Sequence, residues 1–357
     1  MGTALPPTVV QLGIVVLTIG GLWLGARLLV DTVIRLARRL GLSELTIGLT
    51  VVAAGTSAPE LVVSVDAALA GLGAIAVGNV VGSNVYNLAF ILGVVSLVRV
   101  VPIERSLVHR DGVVLVASTL LGGAVLFDGV VSRLEGALLV GLFVAYTGYL
   151  LRTTTETPTA STSTSESAST ATTTSEPSSV DASGSADVGA DDAATNPPNA
   201  VSTALTERVD FRGRDALLLV VGLGVVLVCG DLLVGAASAL ARGAGVSDLV
   251  IGSTIVAAGT STPEFAVSLV AMRRGRLGVS VGNVVGSNVF NVLGIMGLSA
   301  VIRPLSVGPD VLQTVAWLTV VSVLMVAALW TGRQLSRVEG GLFATSEVAR
   351  WILGLVG

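Results

Sequence analysis

Lysine is absent from the chain, cysteine and histidine occur once each, and only 12% of the 357 residues are charged. The single thiol, Cys229, stands inside an apolar run, which excludes intrachain disulfides and a cysteine-built zinc cluster; it reads as a small packing residue. His109, the only imidazole, is expected in an interfacial loop, so a serine hydrolase lacks its base and a softer metal lacks its ligand. The chain is not read as an enzyme, and no resident cofactor and no protein partner are implied. Every basic side chain is an arginine and the sequence pI is about 5.1, a balance that argues against nucleic-acid binding. With 52% hydrophobic residues and a mean hydropathy of +0.87, there is too little polar surface for a soluble globule of this size. The composition is that of an all-α polytopic membrane protein.

Apolar runs approaching the roughly 20 residues that cross a bilayer recur along the chain. Five come first, near 9–36, 43–71, 74–98, 111–127 and 134–151, the second opening on Ser43 as a helix N-cap. The first run lacks the charged flank and cleavage signal of a signal peptide and is expected to be retained. From 153 to 206 the composition turns to Ser, Thr, Ala, Asp and Glu, which cannot build a core and reads as a disordered acidic linker. Five more runs follow, near 216–241, 248–272, 277–302, 311–330 and 338–356. Within them, Arg27 and Asp31 at helical spacing are expected to neutralise each other, as are Glu347 and Arg350.

The stretch Ala53-Ala54-Gly55-Thr56-Ser57-Ala58-Pro59-Glu60 returns as Ala257-Ala258-Gly259-Thr260-Ser261-Thr262-Pro263-Glu264, and 77–85 returns letter for letter at 281–289, each time 204 positions later. The chain is therefore two related units, 1–152 and 207–357, joined by the linker at 153–206. About ten helices in two units of five place the second unit upside down, the inverted-repeat plan of many transporters. Arginines set the orientation. With the N-terminus outside, the inner segments take Arg35, Arg38, Arg39, Arg99, Arg105, Arg110, Arg273, Arg274 and Arg276 among others, and the outer ones only Arg133, Arg242 and Arg303. Both termini are then outside the cell membrane and the linker is cytoplasmic.

Glu60 and Glu264 lie near the middle of their runs, where an ionisable group costs several kcal/mol without a partner and marks function by default. Inversion brings the two broken helices together at the midplane. Two carboxylates balance one divalent cation. Calcium takes about six to eight oxygens at flexible distances, and the hydroxyls of Thr56, Ser57, Thr260 and Ser261 with carbonyls near Ala53 and Ala257 could supply them. Ser83 and Asn87, four apart on one face, are assigned to the ions with Ser287 and Asn291, although interhelical hydrogen bonding competes for these residues and for Asn84 and Asn288. The pairs Gly78 and Gly82, and Gly282 and Gly286, read as helix packing.

These motifs resemble the cation/calcium exchanger superfamily, specifically sodium/calcium exchanger membrane proteins of prokaryotic and archaeal type, whose two repeats match 48–93 and 252–297. The resemblance implies one calcium site flanked by sodium sites, lined by Thr56, Ser57, Glu60, Ser83, Asn87, Thr260, Ser261, Glu264 and Ser287 and joined by the carbonyls of Ala53 and Ala257. It departs at Asn87 and Asn291, where sodium-coupled members often carry an aspartate in one repeat. The expected function is antiport of Ca2+ for Na+ by alternating access; a proton/calcium antiporter is the alternative, and a cation channel is disfavoured by the duplication.

Overall fold

The computed structural model describes residues 7–102, 107–155, 200–245, 257–332 and 334–356, and these are helical nearly throughout. The reason is general: inside a bilayer every backbone N–H and C=O must be satisfied within its own segment, and a helix does this for runs of Val, Leu, Ala and Ile. Six helical segments among the described residues are long and apolar enough to cross a membrane: Thr8–Leu40, Gly73–Val98, Arg133–Thr153, Gly213–Gly243, Leu277–Ile302 and Val311–Trp330. A seventh span results if Glu44–Thr56 and Ala58–Leu69, bent by 49°, are taken as one. The described residues thus give six or seven spans where about ten are expected. The helix Val113–Val125 is short, Arg337–Val356 carries four charges, and residues 246–256 lie outside the described residues.

The helix Arg133–Thr155 and the helix Ala200–Gly243 take in 153–155 and 200–206, which were expected to be irregular; the rest of the expected linker lies outside the described residues. The second of these helices also starts well before its apolar run at 216. The described residues up to 155 and from 214 onward fall into one compact unit, so the two repeats share one body.

Each repeated motif breaks its helix at the serine. Ser57 has φ −80° and ψ 14°, Ser261 has φ −91° and ψ 11°, and Pro59 and Pro263 sit in the first turn of the helices that resume at Ala58–Leu69 and Thr262–Arg273. A proline is tolerated there because first-turn N–H groups have no intrahelical partner. The helices that follow, Gly73–Val85 and Leu277–Val289, run into π-helical turns at Tyr86–Ile91 and Phe290–Met296, with another at Gly48–Val52. Such turns are frequent at functional sites. The spans containing these two helices are the central ones: 78% of each is buried, against 17–28% of the other single spans.

The repeats brace each other reciprocally. Strand β1 (Val101–Pro102) pairs antiparallel with β4 (Gln334–Leu335), and β2 (Val130–Val131) with β3 (Leu305–Ser306), so each repeat lends one strand to either pair. Gly93 meets Gly340 O and Gly136 meets Gly297 O, in both cases so closely that an added Cβ would stand 2.7 Å from the carbonyl. One apolar cluster, including Leu88, Ile91, Leu92, Leu139, Ile295 and Met296, fills this braced body. A second joins the helix Pro7–Leu40 to Val226, Val267, Val270 and Val279.

Charged side chains depart in part from the local reading. Arg27 lies over the Trp23 ring, 5.3 Å from its centroid, and Asp31 pairs with Arg274 of the other repeat, so a tertiary partner displaces the expected i,i+4 pair. The Glu347 and Arg350 pair does form, at 2.5 and 2.8 Å. His109 is in a π-helical turn, Leu107–Gly112, rather than a loop, edge-on to Trp330 at 4.6 Å. Asp215 is buried and receives both Arg35 (3.3 Å) and Arg39 (3.0 Å), tying the first helix to the helix Ala200–Gly243. Asp215→Ala is expected to cost about 1–2 kcal/mol, less than a fully buried pair because both arginines are partly exposed. Thermal unfolding in detergent checks this.

Candidate functional site

The two helix breaks put each serine opposite the carboxylate of the other repeat. Ser57 Oγ donates to Glu264 Oε1 and Ser261 Oγ donates to Glu60 Oε1, both at 2.8 Å. The bonds are mirror images under the 204-residue offset. Glu60, Glu264, Ser57 and Ser261 have no exposed surface. Among the described residues neither glutamate enters an ion pair, and each keeps one oxygen, Oε2, without a hydrogen-bond partner. A buried carboxylate left this way is costly unless a cation meets it.

Neutral oxygens surround the pair. Ser287 Oγ reaches both Glu264 Oε1 and Ala53 O at 3.5 Å, and Thr56 Oγ1 lies 3.4 Å from the same carbonyl. Ala53 O also accepts the Ser57 N–H at 3.0 Å, the last regular bond before the break. Ser83 Oγ and both carboxamide atoms of Asn87 are buried without a hydrogen-bond partner among the described residues. Thr260 is half-buried, on the short helix that starts at Ala257, Ala257–Thr260. Asn291 is turned elsewhere: its Nδ2 donates to Asn84 Oδ1 at 3.0 Å, leaving Oδ1 without a partner among the described residues. The interhelical role weighed for Asn84 and Asn291 is thus realised, and for Asn291 it coexists with a free acceptor, whereas the Asn288 side chain donates within its own helix, to Val284 O at 2.7 Å.

Two asparagines escaped the sequence reading. Asn79 Nδ2 bonds Glu60 O (3.2 Å) and Ser64 Oγ (2.9 Å), and Asn283 Nδ2 bonds Glu264 O (3.3 Å) and Ser268 Oγ (3.0 Å). Asn283 Oδ1 also accepts from Thr56 Oγ1 at 3.0 Å, linking the repeats. Their signal was present in the identical stretches 77–85 and 281–289, but a carboxamide near glycines reads first as packing. Glycine packing is real in the second copy. A Cβ on Gly282 would stand 2.6 Å from Leu45 O, and one on Gly286 2.5 Å from Leu49 O, whereas no described atom lies within 4 Å at Gly78 or Gly82.

Among the described residues no group of three or more His, Cys, Asp or Glu stands together, so the centre is two carboxylates in a shell of hydroxyls, carboxamides and carbonyls. Hard cations select such oxygen sets. A helical membrane protein with this buried acidic pair between duplicated broken helices is of the class of membrane cation antiporters. The chain belongs to the sodium/calcium exchanger family, whose model, described as sodium/calcium exchanger protein, matches residues 10–152 and 215–346. It is 33% identical over 310 residues to CaxA of Alkalimonas amylolytica, covering 85% of this chain and 86% of that one. It is 30% identical over 350 residues to the sodium/calcium exchanger MaX1 of Methanosarcina acetivorans, covering 91% and 93%. A solved structure of the sodium-calcium exchanger NCX_Mj superposes with a TM-score of 0.72 at 25% identity, covering 98% of this chain and 99% of that one.

Proposed function

We propose that the chain exchanges Ca2+ for Na+ by alternating access, the two ions competing for the centre between Glu60 and Glu264. The observation that carries this reading is the crossed pair of serine–glutamate bonds, which holds one oxygen of each carboxylate and leaves the other to a cation. One Ca2+ neutralises both charges; Na+ ions do so in greater number. A centre with neither ion carries two uncompensated charges and resists passage through the apolar barrier, which couples the fluxes. The ligands are Glu60, Glu264, Thr56, Ser57, Thr260, Ser261, Ser83, Ser287, Asn87 and Asn291 with the carbonyls of Ala53 and Ala257.

The same reading takes the chain as ten spans in two inverted units, 1–152 and 207–357, with both termini outside the cell membrane and 153–206 in the cytoplasm. Proton coupling is not favoured: MaX1 and NCX_Mj, alike to this chain over most of its length, are both named as exchangers of sodium for calcium. Calcium-45 uptake into sodium-loaded proteoliposomes tests the reading. Uptake should follow the sodium gradient and ignore a proton gradient; uptake indifferent to both would mark a channel and overturn it.

Asn283 gives a further test. Asn283→Ala releases the Glu264 carbonyl, Ser268 and Thr56 together, and the apparent calcium affinity is expected to fall about tenfold or more, as when groups that orient metal ligands are lost. The KM for calcium-45 uptake reads this directly.

A further inference from the structure

The repeats make mirror-image bonds at the carboxylates but not at the asparagines between them. Asn291 Nδ2 donates to Asn84 Oδ1 and Asn84 Nδ2 donates to the Asn288 carbonyl, both at 3.0 Å. Exchanging the repeats turns these into Asn87 Nδ2 to Asn288 Oδ1 and Asn288 Nδ2 to the Asn84 carbonyl. Neither of those bonds is made. Asn288 Nδ2 turns to Val284 O of its own helix at 2.7 Å, and the two ends of the missing side-chain bond, Asn87 Nδ2 and Asn288 Oδ1, are both buried without a partner among the described residues. All four asparagines have no exposed surface. Buried polar groups in native proteins are almost always paired, so a matched donor and acceptor left apart call for an explanation.

We propose that Asn84 and Asn288 are positioning residues that engage one ion-ligating asparagine at a time, and that the engaged pair changes when the site changes sides. In the state seen here Asn84 holds the Asn291 carboxamide and the Asn87 carboxamide is released. In the opposite-facing state Asn288 Oδ1 takes Asn87 Nδ2, and Asn291 is set free. The proposal rests on the exchange reading above, because inverted repeats trade local conformations as access alternates. A held carboxamide has its N–H committed and keeps its oxygen as a fixed acceptor; a released one is free to turn. An aspartate at 87 or 291 could not take part, having no N–H to donate when ionised. The switch thus gives a purpose to asparagine at both positions.

The test uses the full chain in proteoliposomes, with the KM for sodium-dependent calcium-45 transport measured from each face. Asn84→Ala weakens the state seen here and Asn288→Ala the opposite one. The ratio of the two KM values is expected to shift about fivefold in opposite directions in the two variants, the scale of one net hydrogen bond acting on a two-state equilibrium. Where an alanine variant does not fold, Asn84→Leu and Asn288→Leu, which keep a side chain branched at the same atom and likewise remove the accepting oxygen, carry the same prediction. Shifts in the same direction, or equal losses of turnover at an unchanged ratio, would overturn the switch. A wild-type chain that moves no calcium in exchange for sodium would overturn the exchange reading first and the switch with it.

Discussion

Glu60→Gln and Glu264→Gln are each expected to lower sodium-driven calcium uptake at least about 100-fold while the protein still folds. Glutamine keeps the size of the side chain and an oxygen for the serine opposite, so the crossed bonds at 2.8 Å can persist. What goes is one of two charges facing the cation. A unit charge pair about 4 Å apart is worth roughly 4 kcal/mol at an effective dielectric constant near 20, more than the roughly 2.7 kcal/mol that 100-fold requires. Stability should move the other way. An unpaired buried carboxylate is a burden on the fold, so without calcium each variant should unfold no lower than wild type in a thermal scan. A variant that both unfolds early and retains uptake would reverse the assignment of these residues.

Gly286→Ala should be strongly disruptive, because among the described glycines its added Cβ would come closest to backbone. Its Cβ would stand 2.5 Å from Leu49 O and 2.6 Å from Leu49 Cα, and backbone cannot swing aside as a side chain does. Leu49 belongs to the π-helical turn Gly48–Val52, which leads straight into Ala53, the carbonyl shared by Thr56 and Ser287. Overpacking of this kind costs about 1–3 kcal/mol, and here the displacement is passed to the ion ligands. The expected result is a lower melting temperature in detergent and a smaller rise on adding calcium, since a weaker ligand stabilises less at the same concentration. A near-normal melting temperature with a full calcium response would show that the helices have slack here.

The carboxylates were legible in the sequence because a glutamate in the middle of an apolar run has no bland reading, and the 204-residue repetition showed that each has a twin. The breaks at Ser57 and Ser261 followed from proline and glycine. Other features depend on partners far away in the chain. Arg27 and Asp31 are correctly spaced for a local pair, yet Asp31 goes to Arg274, because the fold brings that guanidinium closer than helix spacing alone reveals. The π-helical turns at Tyr86–Ile91 and Phe290–Met296 leave no mark in composition. Asn79 and Asn283 acquire their roles only when the helices that follow the breaks fold back beside Glu60 and Glu264. Span counting met a different limit: the helix Arg337–Val356 carries Arg337, Glu339, Glu347 and Arg350, and a bare count of charges does not credit the local i,i+3 pairing of Glu347 with Arg350, which neutralises half of them.

The central claim is that calcium and sodium occupy one centre in turn. Equilibrium binding of calcium-45 to the purified chain, with sodium raised in steps, tests it most directly. The account predicts that sodium raises the apparent Kd for calcium without changing the number of sites, and that Glu60→Gln and Glu264→Gln each remove the binding. Calcium binding that sodium leaves untouched, or that survives in both variants, would contradict it.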